Sequence, residues 1–411
     1  MNKLLVDGIY ATNIVKLEDI AEKKTTKNID GLVTETFTNS AESGIISQSD
    51  FFDRTITNEK NISGYFIVEP DDFVYNPRIS TFAPVGPINR NKLGRSGVMS
   101  PLYLVFHTHD VEPEYLEWYF KSNTWHQFMR DNGNTGVRSD RFSISDAEFF
   151  NMPIPIPPVK VQKAIAKTLT TLDTKVTLEK NEVEKFQNLK SAMLTKMFPK
   201  EGETEPEIRI DGFTDAWEQR KLIDLLDQPI TDGPHETPNI VDDGIPFISA
   251  DAIVDNKIDF TRKRGNITEE YDLQCCKKYK PEFHDVYLVK SGSTVGKVAI
   301  VETTQRFNIW SPLAAMRCKE NSDPYFLFAL LQTKENQAQV KDKASTGTQP
   351  NLSMRALEQF DIVSPYSRNE QIKIGEFFNN LDHLITLHQR KYEKLIDTKK
   401  AFLEKLIGGE K

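Results

Sequence analysis

Residues 291–298 read Ser-Gly-Ser-Thr-Val-Gly-Lys-Val, a glycine-rich run ending in Gly-Lys. The chemistry it raises first is phosphate binding. A nucleotide-phosphate loop needs a glycine five residues before its Gly-Lys and a hydroxyl just after it, because backbone N–H groups cradle the phosphates and the hydroxyl holds Mg²⁺. Here Ser291 stands at the first position, Gly292 comes one residue late and Val298 replaces the hydroxyl. These departures argue against an ATP site at Lys297. His107 and His109 could share a metal, but no cysteine or carboxylate cluster accompanies them, and they read as surface strand residues. Cys275, Cys276 and Cys318 fit neither a disulfide framework nor zinc spacing. Asn76-Pro77-Arg78 lacks the second proline and the aromatic of an adenine-methylase motif, and neither a G-x-G cofactor loop nor a nuclease carboxylate–lysine cluster is found. No catalytic residue and no bound metal or cofactor is expected.

Runs of polar and charged side chains are also spread along both halves, and the resemblance named below implies a DNA-reading role for them. Arg, Lys, Asn and Gln reach base edges, while Lys, Ser, Thr and backbone N–H groups hold phosphates. The first half offers Tyr75, Asn76 and Arg78, then Arg90, Lys92 and Arg95, then Arg138, Ser139 and Arg141. The second offers His235 and Thr237, then Arg262, Lys263 and Arg264, then Lys290, Ser291, Ser293, Thr294 and Lys297, and finally Thr346, Thr348, Gln349 and Asn351. For each stretch a solvated turn is the competing reading.

The elements that must carry these residues are written twice. QKAIAKTLTTLDTKVTLEKNEVEKFQNLKSAMLTKMF from Gln162 lies without gaps over QIKIGEFFNNLDHLITLHQRKYEKLIDTKKAFLEKLI from Gln371, an offset of 209. Leu172-Asp173 matches Leu381-Asp382, and Lys190 matches Lys399. Ser100-Pro101-Leu102 matches Ser311-Pro312-Leu313, and Lys16-Leu17 matches Lys221-Leu222, at nearby offsets. Two copies of one unit fill the chain. Val85-Gly86 lies over Val295-Gly296 with Pro87 in place of Lys297, so the duplicated frame dispenses with the lysine an ATP site would need. A strand–turn–strand with glycine at the bend is expected there.

Each unit opens with a stretch rich in aromatics, Gly, Pro and short strand-like runs (DVYLVKSG, KVAIVE), interleaved with helical segments such as PEYLEWYFKSNTWHQFMR, and reads as a mixed α/β domain. After the proline stretches at 153–158 and Pro365, each unit ends in a long helix carrying a heptad seam. The first seam runs Leu172, Val176, Glu179, Val183, Phe186, Lys190, Met193, and the second Leu381, Ile385, His388, Tyr392, Leu395, Lys399, Phe402. A parallel pair would set Lys190 against Lys399. An antiparallel pair can set Glu179 against Lys399 and Lys190 against His388, with Val183 on Leu395, Phe186 on Tyr392 and Met193 on Ile385. That antiparallel register is predicted. The fold class is therefore α+β: two mixed α/β domains and an antiparallel coiled coil with an internal pseudo-twofold repeat. Domain 1 spans residues 1–155, the first spacer helix 156–200, linker and domain 2 201–365, and the second spacer helix 366–411.

This architecture resembles the specificity subunit of type I DNA restriction-modification complexes. The resemblance is carried by PEIRIDGFTDAWEQRKLIDLL at 206–226, DGPHETP at 232–238, VKSGSTVGKVAIVE at 289–302 and the duplicated proline-to-helix segments, and the first copy lacks the PEIRIDGFTDAW opening. It implies that each domain reads one half of a split, asymmetric DNA site, that the helix pair sets the spacing, and that the subunit is non-catalytic. It also implies partners: two methyltransferase subunits using S-adenosylmethionine, and restriction subunits using ATP and Mg²⁺. A phosphate-loop ATPase and a scaffold with no DNA role are the competing classes.

Composition fits this reading. Net charge is −8 from 52 basic and 60 acidic residues, which excludes a uniformly basic nucleic-acid binder but not local basic faces. The opening MNKLLVDGIY has no run apolar enough for export, and a cytoplasmic protein is expected.

Overall fold

The strand β1 (Asn13–Lys16) pairs antiparallel with a strand 140 residues further along, and this closure defines the first of two units. The computed structural model describes residues 12–51, 62–135, 140–345 and 349–408. One unit is built from residues up to Glu179 together with those from Lys391 onward, and the other from Lys180–Arg390. Each takes part of both long helices.

In the first unit β1 is followed by β2 (Ala21–Lys24), β3 (Phe73–Tyr75), β4 (Ile88–Arg90), β5 (Leu104–Thr108), helices α1 (Pro113–Lys121) and α2 (His126–Asn132), strand β6 (Pro153–Ile156) and the long α3 (Val159–Lys196). The antiparallel sheet has the order β2-β5-β3-β4, and β1 pairs with β6. The second unit repeats this: β7 (Glu218–Lys221), β8 (Thr231–Asp232), β9 (Val286–Val289), β10 (Val298–Ile300), β11 (Leu313–Met316), α4 (Pro324–Leu330), α5 (Lys334–Lys343), β12 (Asp361–Ser364) and α6 (Arg368–Ile407). Its sheet order is β8-β11-β9-β10, again antiparallel, and β7 pairs with β12. Identical strand orders make the internal repeat a structural fact. The central strands are buried along their whole length, which is why VYLV and LAAM read as continuous apolar runs.

The repeat extends to single hydrogen bonds. Asp19 Oδ2 accepts from Lys16 N at 2.8 Å, and Asp224 Oδ2 accepts from Lys221 N at 2.9 Å. The helices α1 and α4 both begin on proline, where the missing N–H costs nothing. The units differ in the stretch between their first two sheet strands. The first unit holds the hairpin Phe37–Ser40 with Gly44–Ser47. The second holds a three-stranded sheet around Ile245–Ile248, the hairpin Ile253–Val254 with Lys257–Ile258, and the helix Glu269–Cys276.

The PEIRIDGFTDAW segment has a structural task. Arg209 grips the buried Glu370 of α6 with two hydrogen bonds of 2.8 and 2.9 Å, and Trp217 donates to the same carboxylate at 3.1 Å. In the first copy the matching position is Val161, buried and apolar, so no clamp is required there.

All fourteen seam residues are buried or half-buried, while Leu178 and Leu387 face solvent. Within the second unit Lys190 meets Asp382 while Phe186 lies against His388, so the helices run antiparallel as expected. The first unit shows the same direction, with Asp173 bonded to Lys399 and Leu406 packed in the cluster that holds Ile165 and Leu169. The register is corrected. Lys190 pairs with Asp382 rather than His388, and Lys399 with Asp173 rather than Glu179. His388 lies on the Phe186 ring, centroids 5.4 Å apart, in place of the expected Phe186–Tyr392 layer. The physical reason is that the helix packing places a carboxylate just beside the seam within reach of each lysine, Asp382 for Lys190 and Asp173 for Lys399.

Candidate nucleic-acid interface

The hairpin turn between β3 and β4 of the first unit, and between β9 and the edge strand β10 of the second, positions the polar residues. In the second unit this turn is SGSTVGK. Gly292 and Gly296 have φ of +98° and +96°, and Val298–Ile300 follows as a strand, not the helix a phosphate loop would open. Gly86, the counterpart of Gly296, has φ of +85°, and a Cβ there would stand 2.1 Å from the Asn76 carbonyl oxygen. Glycine at the bend is thus a backbone requirement in both copies.

Each turn is joined to the loop that follows the second short helix. In the first unit Arg78 forms a bridge with Arg141, Ile79 N donates to Asp140 O at 3.0 Å, and Phe142 N donates to Pro77 O at 2.7 Å. In the second unit Ser291 forms a bridge with Asn351, Gly292 N donates to Pro350 O at 3.0 Å, and Leu352 N donates to Lys290 O at 2.7 Å. Stretches read separately in the sequence are one surface in each unit. Arg78 and Arg141 are exposed and line a 390 Å³ groove with Asn76, Gln48 and Tyr103. Ser293 and Gln349 are exposed; Ser291 and Thr294 are half-buried. Asn76 is held by donating to Asn39 O at 2.9 Å.

A second cluster lies at the DGPHETP loop. Asp232 is fully buried and draws two lysines, Lys278 and Lys290 at 3.3 Å, and the His235 imidazole at 3.2 Å. His235 and Thr237 remain exposed. Arg262, Lys263 and Arg264 are exposed too, with Arg262 3.4 Å from Asp259 and the Arg264 guanidinium 4.0 Å from the Trp310 ring centroid.

Several of the expected contact residues have partners within the fold. Tyr75 is 3% exposed, stacks on Phe149 and donates to Val85 O at 2.9 Å; its hydroxyl pKa is pushed up by burial. Lys290 is buried against Asp232. Arg90 is committed to Asp71 and Glu117, both at 2.8 Å. Lys92 pairs with Glu117 at 2.8 Å, and Arg95 with Glu35 at 2.7 Å. Lys297 is exposed and donates to Ile253 O at 3.3 Å in the cleft beside the long helices. Burial removes Tyr75 and Lys290 from the surface, whereas Lys92, Arg95 and Lys297 stay exposed beside their acidic or carbonyl partners. Arg138, Ser139, Thr346 and Thr348 lie outside the described residues. His107 bonds Asp72 at 2.8 Å, His109 bonds Asp110 at 3.2 Å, and no metal-holding group occurs among the described residues.

The family model for the type I restriction modification DNA specificity domain matches the chain twice, over residues 12–187 and 214–396. The chain belongs to that family. It is a type I restriction-modification specificity subunit, the non-catalytic component of its system. Two relatives from Methanocaldococcus jannaschii agree. One is the type I restriction enzyme MjaVIII specificity subunit, 23% identical over 77% of this chain and 75% of that protein. The other is the putative type I restriction enzyme MjaX specificity subunit, 23% identical over 76% and 71%. The fold is shared with the crystal structure of a type I restriction-modification system S subunit from M. genitalium, at TM-score 0.65 and 13% identity, covering 98% of this chain and 97% of that one. A second structure, described for complex assembly and conformational transition of the type I system, superposes at TM-score 0.50 and 16% identity over 96% and 97%.

In this specificity subunit Gln48, Tyr103, Lys278 and Trp310 are neighbours of the polar loops that sequence reasoning missed. Trp310 was within reach of sequence reasoning, because a tryptophan one residue before a repeated Ser-Pro-Leu is an aromatic platform beside a basic turn. Gln48 and Tyr103 carry no linear signal; only folding brings them to Arg78. No helix among the described residues is long and apolar enough to cross a membrane.

Proposed function

We propose that this specificity subunit recognises a bipartite, asymmetric DNA site, each globular domain reading one half, with the helix pair fixing the spacing and docking two methyltransferase subunits. One observation carries the reading. The two units hold the same bridged pair of loops in the same frame, yet present Arg78 and Arg141 in one and Ser291, Ser293, Gln349 and Asn351 in the other. Two different half-sites call for equal frames with unequal tips. The chain itself supplies no cofactor; S-adenosylmethionine belongs to the methyltransferase partners, and ATP and Mg²⁺ to the restriction subunits. Its place is the cytoplasm.

Mapping methylated adenine on DNA exposed to the assembled complex tests this. A split motif with a modified adenine in each half is expected, and methylation without sequence preference would overturn it. Duplex binding in the presence of the methyltransferase partner should weaken steeply with salt. A flat salt response would favour a protein scaffold instead.

A further inference from the structure

The second recognition domain carries a fastening that has no equivalent among the described residues of the first. Its hairpin, Ile253–Val254 with Lys257–Ile258, turns through Asp255 and Asn256, whose φ values are +49° and +61°. Two left-handed residues in a two-residue loop make a primed hairpin turn. The tip meets the long helices. Asn256 Nδ2 donates to Gln332 Oε1 at 2.9 Å, and the same oxygen accepts from Lys190 Nζ of α3 at 2.7 Å. Gln332 Nε2 donates to Phe328 O at 2.9 Å, which fixes the amide so that its oxygen faces both donors. Lys257 Nζ donates to Thr386 Oγ1 of α6 at 2.7 Å, one turn from Asp382, the partner of Lys190. One hairpin tip is thereby tied to both helices through a polar network whose lysine is 7% exposed.

The corresponding cleft of the first unit is identified by repeat-related residues: Gly86 for Gly296, Lys400 for Ser191 and Leu403 for Leu194. It is walled by Ala41 and the exposed Phe82, and no counterpart of the Asn256 and Lys257 tip lines it among the described residues. We infer that Asn256 and Lys257 are positioning residues that set the angle of the second domain on the spacer helices, so that this hairpin governs spacer-length fidelity without reading bases. The inference rests on the bipartite reading above.

The test is adenine-methylation mapping with the assembled complex carrying Asn256→Gly or Asn256→Gly with Lys257→Met. Glycine suits a primed turn, so the hairpin survives while its amide is lost. A cooperative thermal melt of each variant complex checks folding. Both half-site sequences should be unchanged, while methylation at sites with a spacer one base pair longer or shorter rises relative to the cognate site, by about tenfold in the double variant, the weight of one hydrogen bond to a charged group, and by less in Asn256→Gly, which removes an amide–amide bond. Asp255→Gly alters the same turn but removes neither donor and should keep wild-type spacing. Unchanged spacer preference in both variants would overturn the inference while leaving the bipartite reading intact, and so would altered base preference, which would make the hairpin a reader. A wild-type complex without a split motif would defeat the underlying reading and this inference with it.

Discussion

Gln371 repeats the two hydrogen bonds of Gln162. Gln162 accepts from Glu112 N at 2.8 Å and donates to Pro157 O at 2.8 Å; Gln371 accepts from Asp323 N at 3.0 Å and donates to Pro365 O at 3.0 Å. Both are 1% exposed. Each ties the start of a short helix to the proline stretch that opens a long one, so the duplicated segment begins on a residue that locks domain to spacer. Gln162→Ala or Gln371→Ala strands a buried N–H and a buried carbonyl, and should cost about 2–3 kcal/mol. Urea unfolding of each variant measures it, and a loss under about 0.5 kcal/mol would contradict it.

The ion pairs between the long helices should differ in weight. Lys190 and Asp382 have side chains 9% and 16% exposed, whereas Lys399 and Asp173 are 28% and 42% exposed. Burial pushes the Asp382 carboxyl pKa up against the opposing pull of Lys190, so desolvation offsets much of the attraction. Asp382→Asn should destabilise by about 3 kcal/mol, because it leaves a buried ammonium unpaired, whereas Lys190→Met with Asp382→Leu should come out near neutral. Asp173→Asn should cost about 1 kcal/mol or less. Denaturant melts of the set decide, and equal losses at both pairs would refute the ranking.

Glu117 makes the first domain sensitive to acid. Burial alone would raise its carboxyl pKa, but the ammonium groups of Lys121 and Lys92 outweigh that and hold it at about 2. A folded-state value below the unfolded one means stabilisation that is complete above the unfolded pKa, near 4.5, and lost as pH falls toward 2. The loss should approach 3 kcal/mol at its limit. Glu117→Gln should flatten stability against pH in that window, as followed by thermal melts from pH 6 to pH 2.

Arg141 and Arg90 should part company in DNA binding. Exposed Arg141 at the bridged loops, changed to alanine, should weaken duplex binding by the assembled complex and lower the salt slope by about one. Arg90→Ala should leave the slope intact and cost about 2 kcal/mol of stability, since it removes a cation from the buried Glu117. Salt titrations paired with melts separate the two.

Much of this protein was legible in its residues. The gap-free match of Gln162 onwards with Gln371 onwards revealed the duplication, because repeated residues with repeated neighbours must make repeated contacts. The heptad stripe placed every seam residue facing inward, since period is a local property of a helix. The antiparallel direction followed from avoiding Lys190 against Lys399. Tertiary structure decided the register, because Asp173 and Asp382 sit beside the seam and only packing shows that a lysine can reach them. It also decided which cations are spent inside the fold. Arg90, Lys92, Lys290 and Lys297 look like Arg78 and Arg141 in one dimension. They differ only in whether folding brings a carboxylate or carbonyl within about 3 Å, and that distance is set by chain segments far away in sequence.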